Sequence, residues 1–280
     1  MKITDIKTFN VFTYRTNFVF VKLETDEGIS GIGEGTLEYK ENALLGAIED
    51  IKRVLIGQDP REVERISHEL YRDSYWRVGP VLQSAVSAVN MAMWDIKAKA
   101  AGVPVYEMLG GKVRDKIRMY THIKRTAVAG DFSVDEMLNI TDERLRAGYT
   151  ALKYSIIPPI RAIDTPQNLM GHIARFAAGE RIGDSVDLAI DFHGRVSPAM
   201  ALRLAEELKP YRPFFIEEPC LPENVDCMVN IARSTSIPIA AGERLFGKWQ
   251  FRELLEKQAV AVVQPDICHC GGIFEGRKIA

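Results

Sequence analysis

Four acidic residues end or follow short apolar runs at nearly constant intervals. Asp191 ends LAID, Glu217 ends FFIE, Glu243 follows IPIAAG and Asp266 follows VVQP. The steps between them are 26, 26 and 23 residues, each the length of one strand–helix unit of a parallel architecture. Such spacing puts the acids on consecutive strands at the carboxyl-end face, where parallel sheets and barrels place their sites. Carboxylates converging there repel unless a positive charge stands between them. An all-oxygen set suits a hard cation, most simply Mg2+. Strand-end acids also serve as helix N-caps and loop residues, so spacing alone leaves both readings open. His193 lies two residues beyond Asp191, and in an extended backbone its side chain shares that face. An imidazolium beside such acids can donate a proton near neutral pH.

The elements that must position these groups fall into two regions. In residues 1–112, Ile3 to Thr13 has mixed strand character, Phe18 to Glu24 reads as a strong strand, and Ile29 to Glu34 follows the Asp26-Glu27-Gly28 turn. Helical spacing covers Asn42 to Ile56. Asp59-Pro60 reads as the N-cap and first turn of a second helix running to about Tyr71. A third helix covers Val81 to Ala101, with small residues that permit close packing. This is an α+β pattern. In residues 113–280, strand-like runs at Ile117–Thr121, Ala151–Ile156, Leu188–Asp191, Phe214–Glu217, Ile237–Ala240 and Val260–Val263 alternate with helical ones. The clearest helices are Val134–Ala147, Ala199–Leu208, Val225–Arg233 and Lys248–Lys257. Short, apolar strands of this kind suit a parallel α/β sheet covered on both sides. A complete eight-stranded barrel needs two more strands than the six found.

Composition excludes several classes. The chain has 280 residues, 46% hydrophobic and 26% charged, which is not disordered, collagen-like or cysteine-stapled. A formal net charge of −2 gives no general pull toward nucleic acid or an anionic membrane. The longest charge-free stretch, Val78 to Trp94, carries Gly79, Pro80, Gln83, Ser84, Ser87 and Asn90 and reads as a buried helix rather than a membrane span. Met1 to Asn10 lacks the apolar core of a signal peptide. Cysteines occur only at 220, 227, 268 and 270, which suits reduced thiols and a cytoplasmic setting. No GxGxxG or GxxxxGK[ST] opens a helix, so dinucleotide and P-loop readings lack their motif.

DFHGR at 191, FIEEP at 215 and AGER at 241 resemble the metal-binding strands of the enolase superfamily, in its mandelate racemase/muconate lactonizing enzyme-like group. Within that group, DFHGR, the run from Ile216 through Asn224 and QPDICHCGG are most similar to the D-galactonate dehydratase type of sugar-acid dehydratase. Met91 to Gly111 resembles the family's domain-junction segment. The resemblance implies an α+β capping domain on a modified (β/α)7β TIM barrel, bound Mg2+, a homo-oligomer, and dehydration of a small sugar acid to a 2-keto-3-deoxy acid. It assigns the Mg2+ ligands to Asp191, Glu217 and Glu243, with Glu218 a nearby acid rather than a ligand. Asp266 matches the aspartate of the family's His–Asp base dyad, and its histidine is expected about one βα unit further on, beyond Ala280. The barrel is therefore expected to be C-terminally truncated in this chain, with Ile117–Thr121 and Val260–Val263 as open edges and the 280-residue chain inactive alone. His193 matches the acid that protonates the departing hydroxyl.

Other positions carry weaker expectations. Lys153 ends ALKYS, where racemase-type members have a K-x-K pair. Ser155 stands in place of the second lysine, which argues against a two-base racemase. Lys153 then touches substrate oxygens or forms a wall salt bridge. His122 can hydrogen-bond a sugar hydroxyl, while Tyr120 packs. Arg195 and Arg244 can balance the acids. Tyr14 to Phe18, including Asn17, is the expected specificity loop. Trp94 and Trp249 are expected to pack, and Cys268-His269-Cys270 is expected to be structural rather than a zinc site. The competing readings are another superfamily reaction, racemisation or cycloisomerisation, and a non-catalytic metal-binding fragment.

Overall fold

The computed structural model describes residues 1–13, 16–123, 133–155, 160–179 and 185–280. The described elements in chain order are β1 (Ile3–Phe12), β2 (Asn17–Thr25), β3 (Ser30–Glu34), α1 (Glu41–Leu55), α2 (Val63–Arg72), α3 (Pro80–Ala101), α4 (Val105–Met108), β4 (Thr121–His122), α5 (Val134–Arg146), β5 (Ala151–Ser155), α6 (Pro166–Ala178), β6 (Asp187–Asp191), α7 (Pro198–Leu208), β7 (Ile216–Glu217), α8 (Val225–Ser234), β8 (Ile239–Ala241), α9 (Lys248–Glu256), β9 (Val262–Val263) and α10 (Gly272–Ile279). They divide into two compact units. The first comprises Met1–Asp115, Glu243–Arg252 and Pro265–Ala280, and the second Lys116–Gly242 and Glu253–Gln264.

In the first unit, β1, β2 and β3 form an antiparallel meander in that order. Alternation along β2 turns Val19, Val21 and Leu23 inward, each fully buried. They meet α1 and α3, whose buried residues include Leu44, Ile48, Ala88 and Ala92. Gly31 and Gly33 let β3 lie directly on α3. A Cβ at either position would stand 2.0 Å from the Ala92 carbonyl oxygen or 1.9 Å from that of Ala88. The small residues of α3 and the glycines of β3 thus serve one close approach. The charge-free stretch does form a buried helix, and among the described residues no helix is long and apolar enough to cross a membrane. Ile273 and Phe274 of α10 pack on the same core, Phe274 at 5.9 Å from Trp94.

Two expectations in this unit change. Helix α2 starts at Val63, not at Pro60. The Asp59 carboxylate accepts from the Arg61 backbone N–H at 3.0 Å and from its guanidinium at 2.6–3.2 Å, so it closes a turn instead of capping a helix. Trp249 is 54% exposed and is not a core residue.

The second unit is an α/β fold built on a parallel sheet with order β4-β5-β6-β7-β8-β9, each strand pairing with the next in sequence. Leu152, Tyr154, Ile190, Ile216 and Ile239 alternate onto one buried face. On the opposite face Ala189, Phe215 and Ala240 cluster, with Val262 against them. β7, β8 and β9 are shorter than their apolar runs, and β4 shares only Thr121 with the expected Ile117–Thr121, of which Ile117 and Met119 are 72% and 64% exposed. Helix α6 has no counterpart among the clearest sequence patterns. It starts at Pro166 with Thr165 as N-cap, the Thr165 hydroxyl accepting from the Asn168 N–H.

Candidate active site

Register builds the site. Ser155 pairs with Asp191, Asp191 with Glu217, and Glu217 with Ala240. In-register parallel neighbours point the same way, so Asp191 and Glu217 project side by side from the last residues of β6 and β7. They are 2% and 1% exposed. Two buried carboxylates need a counter-charge, and Lys153 supplies it. Two residues back from Ser155 on the same face, its long side chain brings Nζ to 2.6 Å from Glu217 Oε2 and 3.5 Å from Asp191 Oδ2. Burial opposes the Lys153 charge, but Asp191 and Glu217 outweigh it and raise its pKa. Burial likewise opposes ionisation of Asp191, but hydrogen bonding from His193 and the Lys153 charge hold its carboxyl below the usual range. The ammonium also lies 5.4 Å from the centre of the Tyr120 ring. Tyr120 packs edge-on against Phe215 at 6.1 Å while staying 41% exposed.

His193 reaches the site by a different backbone from the expected one. Its φ is +54°, in the left-handed region, and with Gly194 at +58° it makes a turn rather than a strand extension. Asp191 holds this turn. Its Oδ1 accepts from the His193 backbone N–H at 2.7 Å, and its Oδ2 lies 3.3 Å from the ring Nδ1. The Gly194 N–H then donates to the Glu218 carbonyl at 3.0 Å, and the Glu218 N–H to the Ala240 carbonyl at 2.9 Å. Glu218 is fully buried with φ +41°. One ring nitrogen of His193 and one carboxylate oxygen of Glu218 lie within 4.8 Å of each other, close enough to share a cation.

The other candidates fall as follows. His122 is half-buried at the end of β4, in register with Lys153. Arg195 is exposed, its N–H closing the turn onto the Phe192 carbonyl at 3.0 Å. Asn17 opens β2, its N–H donating to Glu41 Oε1 at 3.3 Å; Tyr14 and Arg15 of the expected specificity loop lie outside the described residues. Glu243 follows β8 by two residues and opens a stretch that packs in the first unit. Asp266 lies in the first unit too, where its Oδ1 accepts from the Cys268 N–H at 2.8 Å. His269 Nε2 comes 3.7 Å from Asp266 Oδ2, while its Nδ1 meets the Ser84 hydroxyl at 2.7 Å. Burial pushes the Cys220 and Cys270 thiols up to about 12 and raises Cys268 as well.

Sequence reasoning passed over Gln264. Its Nε2 donates to Glu217 Oε2 at 3.0 Å and reaches the Tyr120 hydroxyl at 3.4 Å. The signal was its position two residues past Val262, on the same face of the sheet.

Buried strand-end acids, a lysine between them and a histidine turned onto the first acid form a recognisable arrangement. The chain belongs to the enolase superfamily, in its mandelate racemase/muconate lactonizing enzyme group: residues 136–280 match the enolase C-terminal domain-like family and residues 7–110 the mandelate racemase/muconate lactonizing enzyme N-terminal domain. It is an enzyme. Among curated relatives it is 41% identical over 282 residues to a D-galactonate dehydratase of Ralstonia pickettii (strain 12J), with 100% of this chain and 71% of that protein covered. Over 281 residues it is 41% identical to the D-galactonate dehydratase of Pectobacterium atrosepticum, with the same coverage. Among solved structures it matches a member of the enolase superfamily from Salmonella Typhimurium with a TM-score of 0.90 at 33% identity, covering 99% of this chain and 76% of that one. A mandelate racemase/muconate lactonizing enzyme-like protein from Rubrobacter xylanophilus gives a TM-score of 0.91 at 30% identity, covering 99% and 75%.

Proposed function

We propose that this enzyme is a hydro-lyase that dehydrates a sugar acid of the D-galactonate type to a 2-keto-3-deoxy acid. The observation that carries the reading is the pair of buried carboxylates, Asp191 and Glu217, side by side at adjacent strand ends, with His193 turned onto the first. Their oxygens already converge on one positive charge, the Lys153 ammonium. An all-oxygen donor set of this kind fits Mg2+. Asp191 and Glu217, with Glu243 from the next strand end, would hold it. When bound, Mg2+ stabilises the negative charge that develops on the substrate carboxylate as the α-hydrogen leaves as a proton.

The chain's own residues supply the rest. His193, its Nδ1 3.3 Å from Asp191 Oδ2, carries the proton for the departing 3-hydroxyl. Lys153 lies within reach of substrate oxygens that approach Glu217. Asp266 is the proposed partner of the histidine that removes the α-proton. His122, Glu218, Arg195 and Asn17 are proposed to contact the substrate or support the residues that do. A cytoplasmic homo-oligomer acting on a small-molecule acid completes the reading.

The test is turnover with Mg2+, by full-length protein, of a panel of sugar acids including D-galactonate and its epimers, read by mass as loss of water. In H193N, dehydration falls about 10²- to 10⁴-fold while exchange of the α-hydrogen with solvent continues. Loss of both in a folded variant that binds Mg2+ would give His193 another role. No keto-deoxy acid from any member of the panel, by full-length protein that binds Mg2+, would overturn the reading.

A further inference from the structure

We infer that Gln264 is a positioning residue that fixes the Glu217 carboxylate so that one defined oxygen faces the cation. The inference rests on the Mg2+ reading above. Glu217 Oε2 receives Lys153 Nζ at 2.6 Å and Gln264 Nε2 at 3.0 Å. A carboxylate oxygen offers about two lone-pair positions, so two donors fill Oε2 and leave Oε1 for a metal. The amide has only one way round. A carboxylate accepts and never donates, so the group facing it must be the amide NH2. The second, longer contact of Nε2, to the Tyr120 hydroxyl at 3.4 Å, is compatible with that orientation, since a hydroxyl can accept as well as donate. Gln264 Oε1 is buried without a partner among the described residues, so the amide's hydrogen bonding is all on the Nε2 side.

The backbone makes this precise placement possible. The Gln264 N–H donates to the Ala241 carbonyl at 3.0 Å, which continues the β8–β9 ladder one step past β9. Gln264 is therefore anchored on the strand scaffold and not on a free loop. Lys153 alone, a point charge on a flexible stem, sets no plane for the carboxylate. The planar amide does, and outer partners of this kind commonly affect metal affinity 10- to 100-fold.

The experiment is Mg2+ titration by calorimetry of the parent, Q264L, Q264M and Y120F, each with its melting midpoint in chelator. Q264L and Q264M are expected to bind Mg2+ about 10- to 100-fold more weakly, with midpoints in chelator close to the parent's. Y120F, which keeps the amide–carboxylate bond, is expected to stay within about threefold of the parent, since the Tyr120 contact is the longer of the two. If the parent binds Mg2+ and Q264L or Q264M binds within twofold of it, the positioning role is overturned. If the parent itself binds no Mg2+, the functional reading fails, and this inference with it. Should neither leucine nor methionine be tolerated at 264, the Gln264 side-chain amide resonance of the parent decides. A shift on adding Mg2+ supports the role and an unmoved resonance overturns it.

Discussion

Replacing Lys153 with methionine tests the electrostatics of the site most directly. The side chain is 4% exposed and its ammonium serves two carboxylates that are themselves 3% and 1% exposed. Methionine keeps most of the stem and removes the charge. Removing one partner of a buried ion pair costs about 3–5 kcal/mol, because the other charge stays behind uncompensated. Here two charges stay behind, so the upper end applies. At about 2–4 °C per kcal/mol for a protein of this size, the midpoint in chelator falls by about 10 °C or more. Urea unfolding of parent, K153M, E217Q and the double variant gives the pairwise term. A coupling of about 2 kcal/mol is expected for groups in direct contact. If K153M unfolds within about 1 kcal/mol of the parent and the coupling is near zero, the ammonium does not bridge these carboxylates and the account of the site is wrong.

Two further outcomes follow from the first unit. In G33A the new Cβ meets the Ala88 carbonyl oxygen at 1.9 Å, and since that atom is backbone, β3 and α3 must separate. Urea melts should show a loss of about 3 kcal/mol, and a loss under about 1 kcal/mol would show a looser contact. Arg61 hydrogen-bonds Asp59 and lowers its carboxyl to about 2. The folded value lies below the unfolded one, so this stabilisation is present above about pH 4 and is lost as pH falls toward 2. D59N should therefore cost about 1 kcal/mol at pH 7, after allowance for solvent screening, and nothing near pH 2. A difference that does not change with pH would remove Asp59 from that account.

Much of this protein was legible in local sequence. Alternation and apolar runs located the described strands to within about two residues, since a strand's period of two is written in the residues themselves; β4 is the exception, starting where its expected run ends. The acids at 191 and 217 were legible for the same reason: each sits where an apolar run stops. X-Pro pairs were a less certain guide. Thr165-Pro166 and Ser197-Pro198 do start helices, but Asp59-Pro60 does not, because Arg61 takes the carboxylate that would have capped one. That competition depends on which side chain is near, not on the motif. Tertiary structure alone decided the contacts that give the site its chemistry. Lys153 and Glu217 are 64 residues apart and Gln264 and Glu217 are 47 apart. Those groups meet only because a parallel sheet in register stacks successive βα units at one level. Periodicity along one strand states which face a residue takes, but not which long side chain crosses to a neighbouring strand's acid. The left-handed turn at His193 belongs to the same class: Asp191 and the Glu218 carbonyl hold it, and one of those partners comes from the next strand.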